Sequence, residues 1–201
     1  MKKILSFILL FSLVILIFCS CGEKSKDYTA EIVIKDYGTI TVHLDGDTAP
    51  ITVNNFVKLA REGFYDGLTF HRIMEGFMMQ GGDPKGNGTG GSDETIKGEF
   101  AANGVENTIS HKRGVISMAR SGENPWYGIT AEMAYNSASS QFFIMHKDNA
   151  RLDGQYAAFG WVTSGIEIVD KICEDAEPTD NNGTIPAAQQ PVIETIRIIE
   201  E

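Results

Sequence analysis

Short strand-like segments, several of them alternating apolar and polar residues, recur along this chain between glycine-containing turns. Alternation buries one face of a strand and leaves the other in solvent. The segments are 31–35, 39–44, 68–73, 77–80, 114–119, 141–145, 157–162 and 191–199. Because closing a sheet removes its exposed edges, this many short strands predict a single, mainly β domain built as a closed barrel.

Two segments follow a helical period instead. Residues 49–63 have a proline near the start, repeat apolar residues every three to four positions and end in glycine, and residues 166–174 show the same spacing. We predict two α-helices that cover the ends of the barrel. The polar stretch 175–190 predicts a surface loop.

The amino-terminal segment has the composition of an export signal. Lys2 and Lys3 precede an apolar run of sixteen residues over 4–19, which is short of the ~20 that a membrane-spanning helix needs. Cys21 follows the small residue Ser20, and a polar stretch comes next.

This arrangement resembles the lipobox of bacterial lipoproteins, although Phe18 stands where leucine is usual. The resemblance implies that residues 1–20 are a signal peptide, that Cys21 is lipidated and that 21–28 form a polar tether. The domain itself would then cover 29–201, in the cell envelope and held to a membrane by lipid. An ordinary cleaved signal or an uncleaved anchor are the alternatives.

The net charge of −10 argues against nucleic acid as a partner, since binding phosphates requires clustered lysine and arginine. Without residues 1–20 the chain has 15 basic and 27 acidic residues, a net charge of −12. Anionic headgroups would repel such a domain, so attachment would depend on the acyl chains. Cys173 would be the one cysteine left besides Cys21, and we expect a buried thiol, not a disulfide.

Three familiar site types lack support. Residues 86–91 contain G-x-G-x-x-G, but no strand leads in and no helix follows, so a mobile glycine loop is favoured over nucleotide binding. The four histidines lack metal-site spacing, and we expect no metal and no other cofactor. Residues for a Ser/His/Asp triad occur in almost any chain, and no G-x-S-x-G motif supports one here.

A more specific arrangement lies at 70–83, where Arg72 and Gln80 stand among large apolar residues. A hairpin turning at 75–76 would bring these two side chains together beside Phe77 and Met78. For an isolated arginine, the alternative is a solvated position on the barrel exterior.

This segment and four others resemble the cyclophilin family of peptidyl-prolyl cis–trans isomerases, over roughly residues 29–200. They are FHRIMEGFMMQGGD at 70–83, GVISMAR at 114–120, NSASSQFFI at 136–144, LDG at 152–154 and FG at 159–160. The resemblance implies an eight-stranded antiparallel barrel capped by two helices, isomerase activity without a cofactor, and proline-containing peptides as ligands. We expect a monomer that assists the folding of exported proteins. A membrane-anchored chaperone module that binds proline peptides without catalysis is the alternative.

The resemblance also implies the site. Arg72 would be the catalytic arginine and Gln80 the polar residue beside it. The residues implied to bind substrate are His71, Phe77, Met78, Ala119, Arg120, Gln141, Phe143, Leu152 and Tyr156.

Two residues and one segment depart from the family pattern. Arg151 replaces a tryptophan used by cyclosporin in many eukaryotic members, and Tyr156 replaces a histidine of the proline pocket. The segment 121–135 is longer than usual, with Trp126 and Tyr127 near its middle. It either borders the substrate groove or is a surface excursion.

Overall fold

The computed structural model describes residues 26–199. The predicted signal peptide, 1–20, and the predicted lipidation site, Cys21, lie outside the described residues. The strands in this range are β1 Tyr28–Ile34, β2 Gly38–Leu44, β3 Thr69–Met74, β4 Met78–Asp83, β5 Val115–Met118, β6 Phe142–Met145, β7 Ala158–Ser164 and β8 Ile193–Ile199. Each falls within a few residues of a predicted segment.

The first hairpin shows how the sequence pattern becomes a buried face. β1 and β2 pair antiparallel from Tyr28 opposite Leu44 to Ile34 opposite Gly38. Gly38 has a φ of 119°, a backbone conformation that favours glycine. Every second residue of the paired segments is buried, so one face of the hairpin joins the core and the other meets solvent.

All strand pairs of the described sheet are antiparallel, in the order β3-β4-β6-β5-β7-β2-β1-β8. The sheet curls into an open half-barrel, and the prediction of a closed barrel is wrong. The edge strands β3 and β8 form no ladder, because they meet at one isolated bridge, Thr69 to Val192, and a few flanking backbone hydrogen bonds. Farther along β3, the backbone pairs with residues 183–185 instead.

Helix α1, Pro50–Arg61, packs against β8 and buries the apolar stripe that the sequence predicts. Its amino terminus has no local side-chain cap. The buried carboxylate of Glu99 takes that role, accepting from the backbone N–H of Ile51 at 3.0 Å and of Thr52 at 2.8 Å. Helix starts need such acceptors because their first N–H groups have no partner inside the helix.

Helix α3, Ile166–Asp175, contacts β2 and buries Val169, Ile172 and Cys173. Burial raises the pKa of the Cys173 thiol to about 12, which agrees with an unreactive core cysteine. A further short helix, α2 Ala131–Tyr135, was not predicted, because five residues are too few to show a period.

The largest group of buried side chains fills the inside of the sheet around Phe56 of α1. The Phe56 ring lies 5.2–5.4 Å from the rings of Tyr65, Phe142 and Phe159. A smaller buried cluster, made of Met78, Val115, Phe143, Met145 and Ala158, lies apart from it. Among the described residues, no helix has the length and apolar character needed to span a membrane.

Candidate active site

Two members of the smaller buried cluster, Met78 and Phe143, form an apolar floor in a cavity of about 560 Å³. Ten of the predicted site residues line it together, namely His71, Arg72, Phe77, Met78, Gln80, Ala119, Arg120, Phe143, Leu152 and Tyr156. Gln141, the remaining one, lines an adjoining cavity of about 240 Å³ that shares Gln80, Ala119 and Arg120 with the first.

The β3–β4 hairpin brings the two polar residues of the predicted motif together. Arg72 stands directly opposite Gln80 in the strand register, and its Nη1 donates to Gln80 Oε1 at 3.2 Å. The turn at 75–76 is held in place by His146, whose Nδ1 accepts from the Gly76 N–H at 2.8 Å. The predicted pairing of Arg72 with Gln80 is confirmed.

The Arg72 guanidinium is fixed on more than one side. Its Nε donates to the backbone carbonyl of Asn182 at 2.7 Å, and its Cζ lies 6.0 Å from the Phe77 ring centre. Burial lowers the pKa of Arg72, but an arginine starts so high that it stays charged at any physiological pH. The cavity wall therefore carries a permanent, partly desolvated positive charge.

Gln80 connects Arg72 to a neighbouring loop through a chain of hydrogen bonds. Its Nε2 donates to Gln141 Oε1 at 2.9 Å, and Gln141 Nε2 donates to the Gly90 carbonyl at 2.7 Å. Gln141 therefore belongs to the same hydrogen-bonded chain as Arg72, although it faces the adjoining cavity.

The glycine loop 86–91 borders the cavity and does not open a helix. The buried Asp83 carboxylate holds it, accepting from the backbone N–H groups of Lys85 at 2.8 Å and Gly88 at 2.6 Å. Burial alone would raise the pKa of Asp83, but these backbone bonds bring it below its usual value. The loop residues Asn87 and Gly88 line the cavity. The glycine pattern of residues 86–91 gave no reason to expect them there.

His71 lies beside this loop, with both ring nitrogens buried and without a hydrogen-bond partner in the described structure. Burial lowers the pKa of His71, and the nearby Arg72 lowers it further against the opposing effect of Asp83. The imidazole is therefore neutral at neutral pH. It supplies a polar wall without adding a second positive charge next to Arg72.

The opposite side of the cavity is apolar and aromatic. Met78 and Phe143 are almost fully buried, and Tyr156 meets Phe143 edge to face with the ring centres 5.8 Å apart. Arg120 does not present a free charge here, because it packs over Tyr156 at 4.8 Å and donates to the Gln155 carbonyl at 2.9 Å.

Comparison with known proteins tests what this arrangement means. Residues 29–200 match the family model described as cyclophilin type peptidyl-prolyl cis-trans isomerase/CLD. Peptidyl-prolyl cis-trans isomerase B of Bacillus subtilis is 44% identical over 139 residues, which are 69% of this chain and 86% of that protein. A peptidyl-prolyl cis-trans isomerase of Helicobacter pylori is 44% identical over 153 residues, 75% of this chain and 84% of the relative.

The chain belongs to the cyclophilin family. It is a peptidyl-prolyl cis–trans isomerase. The fold agrees as well, since a cyclophilin-type isomerase of Cryptosporidium parvum, solved in the presence of the dipeptide Ala-Pro, superposes with a TM-score of 0.70 at 27% identity. That superposition covers 86% of this chain and 99% of the other.

The places where this cyclophilin departs from the family pattern differ in their relation to the cavity. Tyr156 lines it, whereas Arg151 is exposed on the surface. In the long segment 121–135, Gly122 borders the cavity. Trp126 and Tyr127, at the middle of the segment, are 96% and 83% exposed.

The isomerase also contains a Ser/His/Asp arrangement that the sequence alone left open. His111 Nδ1 lies 2.9 Å from Asp153 Oδ1, and His111 Nε2 lies 3.0 Å from Ser117 Oγ. Ser117 is fully buried, so no substrate carbonyl can reach its hydroxyl. The His111 ring stacks against Phe143 at 6.1 Å, and the arrangement therefore supports the apolar floor. Over residues 26–199, no group of metal-ligating side chains is close enough to hold an ion.

Proposed function

We propose that the cavity receives the proline ring of a substrate and that Arg72 stabilises the X–Pro bond as it twists. The observation that supports this most strongly is the position of Arg72, whose Nε and Nη1 are already bonded to Asn182 and Gln80 in a cavity that Met78 and Phe143 also line. The use of Ala-Pro with the Cryptosporidium relative is consistent with a proline-sized ligand.

The reaction needs no covalent step. An X–Pro bond prefers trans by only about 0.5–1 kcal/mol, but rotation faces a barrier of roughly 18–20 kcal/mol because it disrupts amide resonance. In the twisted state the prolyl nitrogen regains a lone pair. A hydrogen-bond donor aimed at that nitrogen binds the twisted state better than either planar isomer, and this difference lowers the barrier.

The other site residues would divide the remaining tasks. Phe77, Met78, Phe143 and Leu152 would hold the ring, so that rotation occurs on the carbonyl side that precedes proline. Gln80 would orient Arg72, while Ala119, Arg120 and Gln141 would lie along the peptide backbone. Tyr156 and His71 would complete the wall. Exclusion of water strengthens the hydrogen bond that Arg72 makes.

Replacing Phe143 by alanine is expected to weaken the binding of a proline peptide roughly 10- to 100-fold, because burying an apolar ring contributes about 1.5–3 kcal/mol. The dissociation constant would be measured by NMR titration of the peptide. Tyr127→Ala is the matched control, since it removes an aromatic ring that is 83% exposed, and it should change the constant by less than about two-fold. An unchanged constant in folded Phe143→Ala would place the ring elsewhere.

We also propose that the enzyme acts in the cell envelope on unfolded exported proteins, as a monomer tethered through lipid on Cys21. The support is the sequence of the first 28 residues and the net charge of −12 after removal of 1–20, which argues against attachment by headgroups. Uncatalysed prolyl isomerisation takes ~10–100 s, so an isomerase held where exported chains emerge would shorten a slow folding step.

Substitution Cys21→Ala is expected to abolish incorporation of labelled palmitate in growing cells, because the thiol is the acylated group. Cys19→Ala is the control and should keep the label, since Cys19 lies within the removed segment. Mass spectrometry of the wild-type chain should show an acylated amino-terminal Cys21. Label that persists in Cys21→Ala, or a mature chain that begins elsewhere, would rule out the tether.

A further inference from the structure

The turn formed by residues 180–184, between α3 and β8, is closed by the Asp180 carboxylate together with two backbone bonds, from the Gly183 N–H to the Asp180 carbonyl at 3.2 Å and from the Thr179 N–H to the Thr184 carbonyl at 2.8 Å. Asp180 Oδ1 accepts from the backbone N–H of Asn182 at 2.9 Å and of Thr184 at 3.0 Å. Its Oδ2 accepts from the Thr184 hydroxyl at 2.8 Å. These three bonds fix the path of the backbone through Asn182, although Asp180 itself is exposed.

The turn is docked on β3 on both sides of Arg72. The Ile73 N–H donates to the Gly183 carbonyl at 2.8 Å, and the Ile185 N–H donates to the His71 carbonyl at 3.0 Å. Gly183 has a φ of 86°, and a Cβ there would lie 2.7 Å from the Ile73 carbonyl oxygen. The close contact with β3 therefore requires glycine at this position.

This docking determines where one edge of the Arg72 guanidinium can lie. Nε donates to the Asn182 carbonyl at 2.7 Å, while Nη1 donates to Gln80 at 3.2 Å. Two bonds to a planar, rigid group define its plane. Nη2 also donates to Met74 Sδ, a weak acceptor, at 3.3 Å. The N–H groups that these three partners do not engage are those available to a ligand in the cavity, which Asn182 and Thr184 also line.

We infer that Asp180 is a positioning residue of the isomerase reaction: by helping to close the turn it holds the Asn182 carbonyl that orients Arg72 toward the prolyl nitrogen, an inference that rests on the catalytic role proposed above for Arg72. Asp180 is not within hydrogen-bond distance of Arg72 in the described contacts, so it acts through the backbone. Its negative charge also raises the pKa of Arg72, against the larger lowering by burial.

The inference predicts a selective loss of turnover. In the full chain solubilised in detergent, Asp180→Ala is expected to lower kcat for a proline peptide about ten-fold or more, because misplacing a catalytic group by about 1 Å can cost 10²-fold. KM should stay within about two-fold, since an interaction made only in the transition state lowers kcat and kcat/KM equally. Asp180→Asn should recover most of the activity, because an amide can accept both backbone bonds and donate to the Thr184 hydroxyl.

Two controls separate positioning from general damage. Asp45 closes a similar turn before α1, accepting from the Thr48 N–H at 2.8 Å and the Thr48 hydroxyl at 2.7 Å. Asp45→Ala should leave kcat unchanged, because Asp45 does not line the described cavity. In an Arg72→Ala background, Asp180→Ala should cause no further loss, since residues that act through one another are not additive.

The Nε–H of Arg72 gives a direct measurement. The Nε hydrogen, followed by ¹⁵N-edited NMR, should exchange slowly with water in the wild type and faster in Asp180→Ala, because the bond to the Asn182 carbonyl protects it. Full kcat in folded Asp180→Ala, equal losses in the alanine and asparagine variants, or additive losses with Arg72→Ala would each overturn the inference.

Discussion

Arg72→Ala is expected to lower kcat/KM for a proline peptide by about 10²–10³-fold, the loss seen when a donor to a developing charge is removed from an enzyme site. The fold should remain, because Arg72 is only half-buried and does not belong to the hydrophobic core. A protease-coupled assay of a proline peptide would measure the rate, and circular dichroism would confirm the fold. Arg72→Lys should recover little, since an ammonium cannot reproduce the planar pair of bonds to Gln80 and Asn182.

Arg197→Ala is the matched control for this loss of charge. Arg197 lies on β8, paired at 3.9 Å with Glu31 and largely exposed, so its removal should leave turnover unchanged. A folded Arg72→Ala protein with wild-type turnover would refute the proposed mechanism. It would leave the membership of the family untouched.

Phe56→Ala is expected to cost about 3–5 kcal/mol of the free energy of unfolding, the usual range for deleting a buried phenylalanine ring. Phe56 is fully buried, and its ring touches those of Tyr65, Phe142 and Phe159. The cavity left behind would separate α1 from the inside of the sheet. Because the whole free energy of unfolding of a typical domain is only about 5–15 kcal/mol, this loss would remove a large part of it.

Equilibrium denaturation in urea would measure this change, with Ile51→Ala as the control on the same helix. Ile51 is 42% exposed, so its truncation should cost less than about 1 kcal/mol. Similar losses for both variants would show that α1 contributes by its backbone and not through the Phe56 ring.

The parts of the site that lie close together in the sequence could be predicted from it. Arg72 and Gln80 belong to one hairpin, so the period of two and the turn at 75–76 were enough to bring them together. The cluster of Ser117, His111 and Asp153 was not predictable, because its members come from separate segments and no motif joins them.

Pairing between segments that are far apart in the chain could not be predicted correctly or completely from the sequence. The alternation in β3 and β8 shows that each is a strand, but not whether their edges form a ladder. The stretch 175–190 reads as a polar surface loop, although Ile185 within it is buried and pairs with β3. Asn182 reaches Arg72 through its backbone carbonyl, and a backbone group leaves no signal in the residue type.

The pairing of β1 with β8 has a consequence for the order in which the chain can fold. Thr29 pairs with Ile199, so one of the first described residues to be synthesised cannot form this pairing until one of the last has been made. Contacts of such long sequence separation make folding slow, since a large loop must close before they form. A nascent chain would carry β1 with one unsatisfied edge until β8 has been made and has folded, and an edge of that kind can pair with another chain. Partial chains that lack β8 are therefore the stage at which this enzyme is most exposed to misassembly.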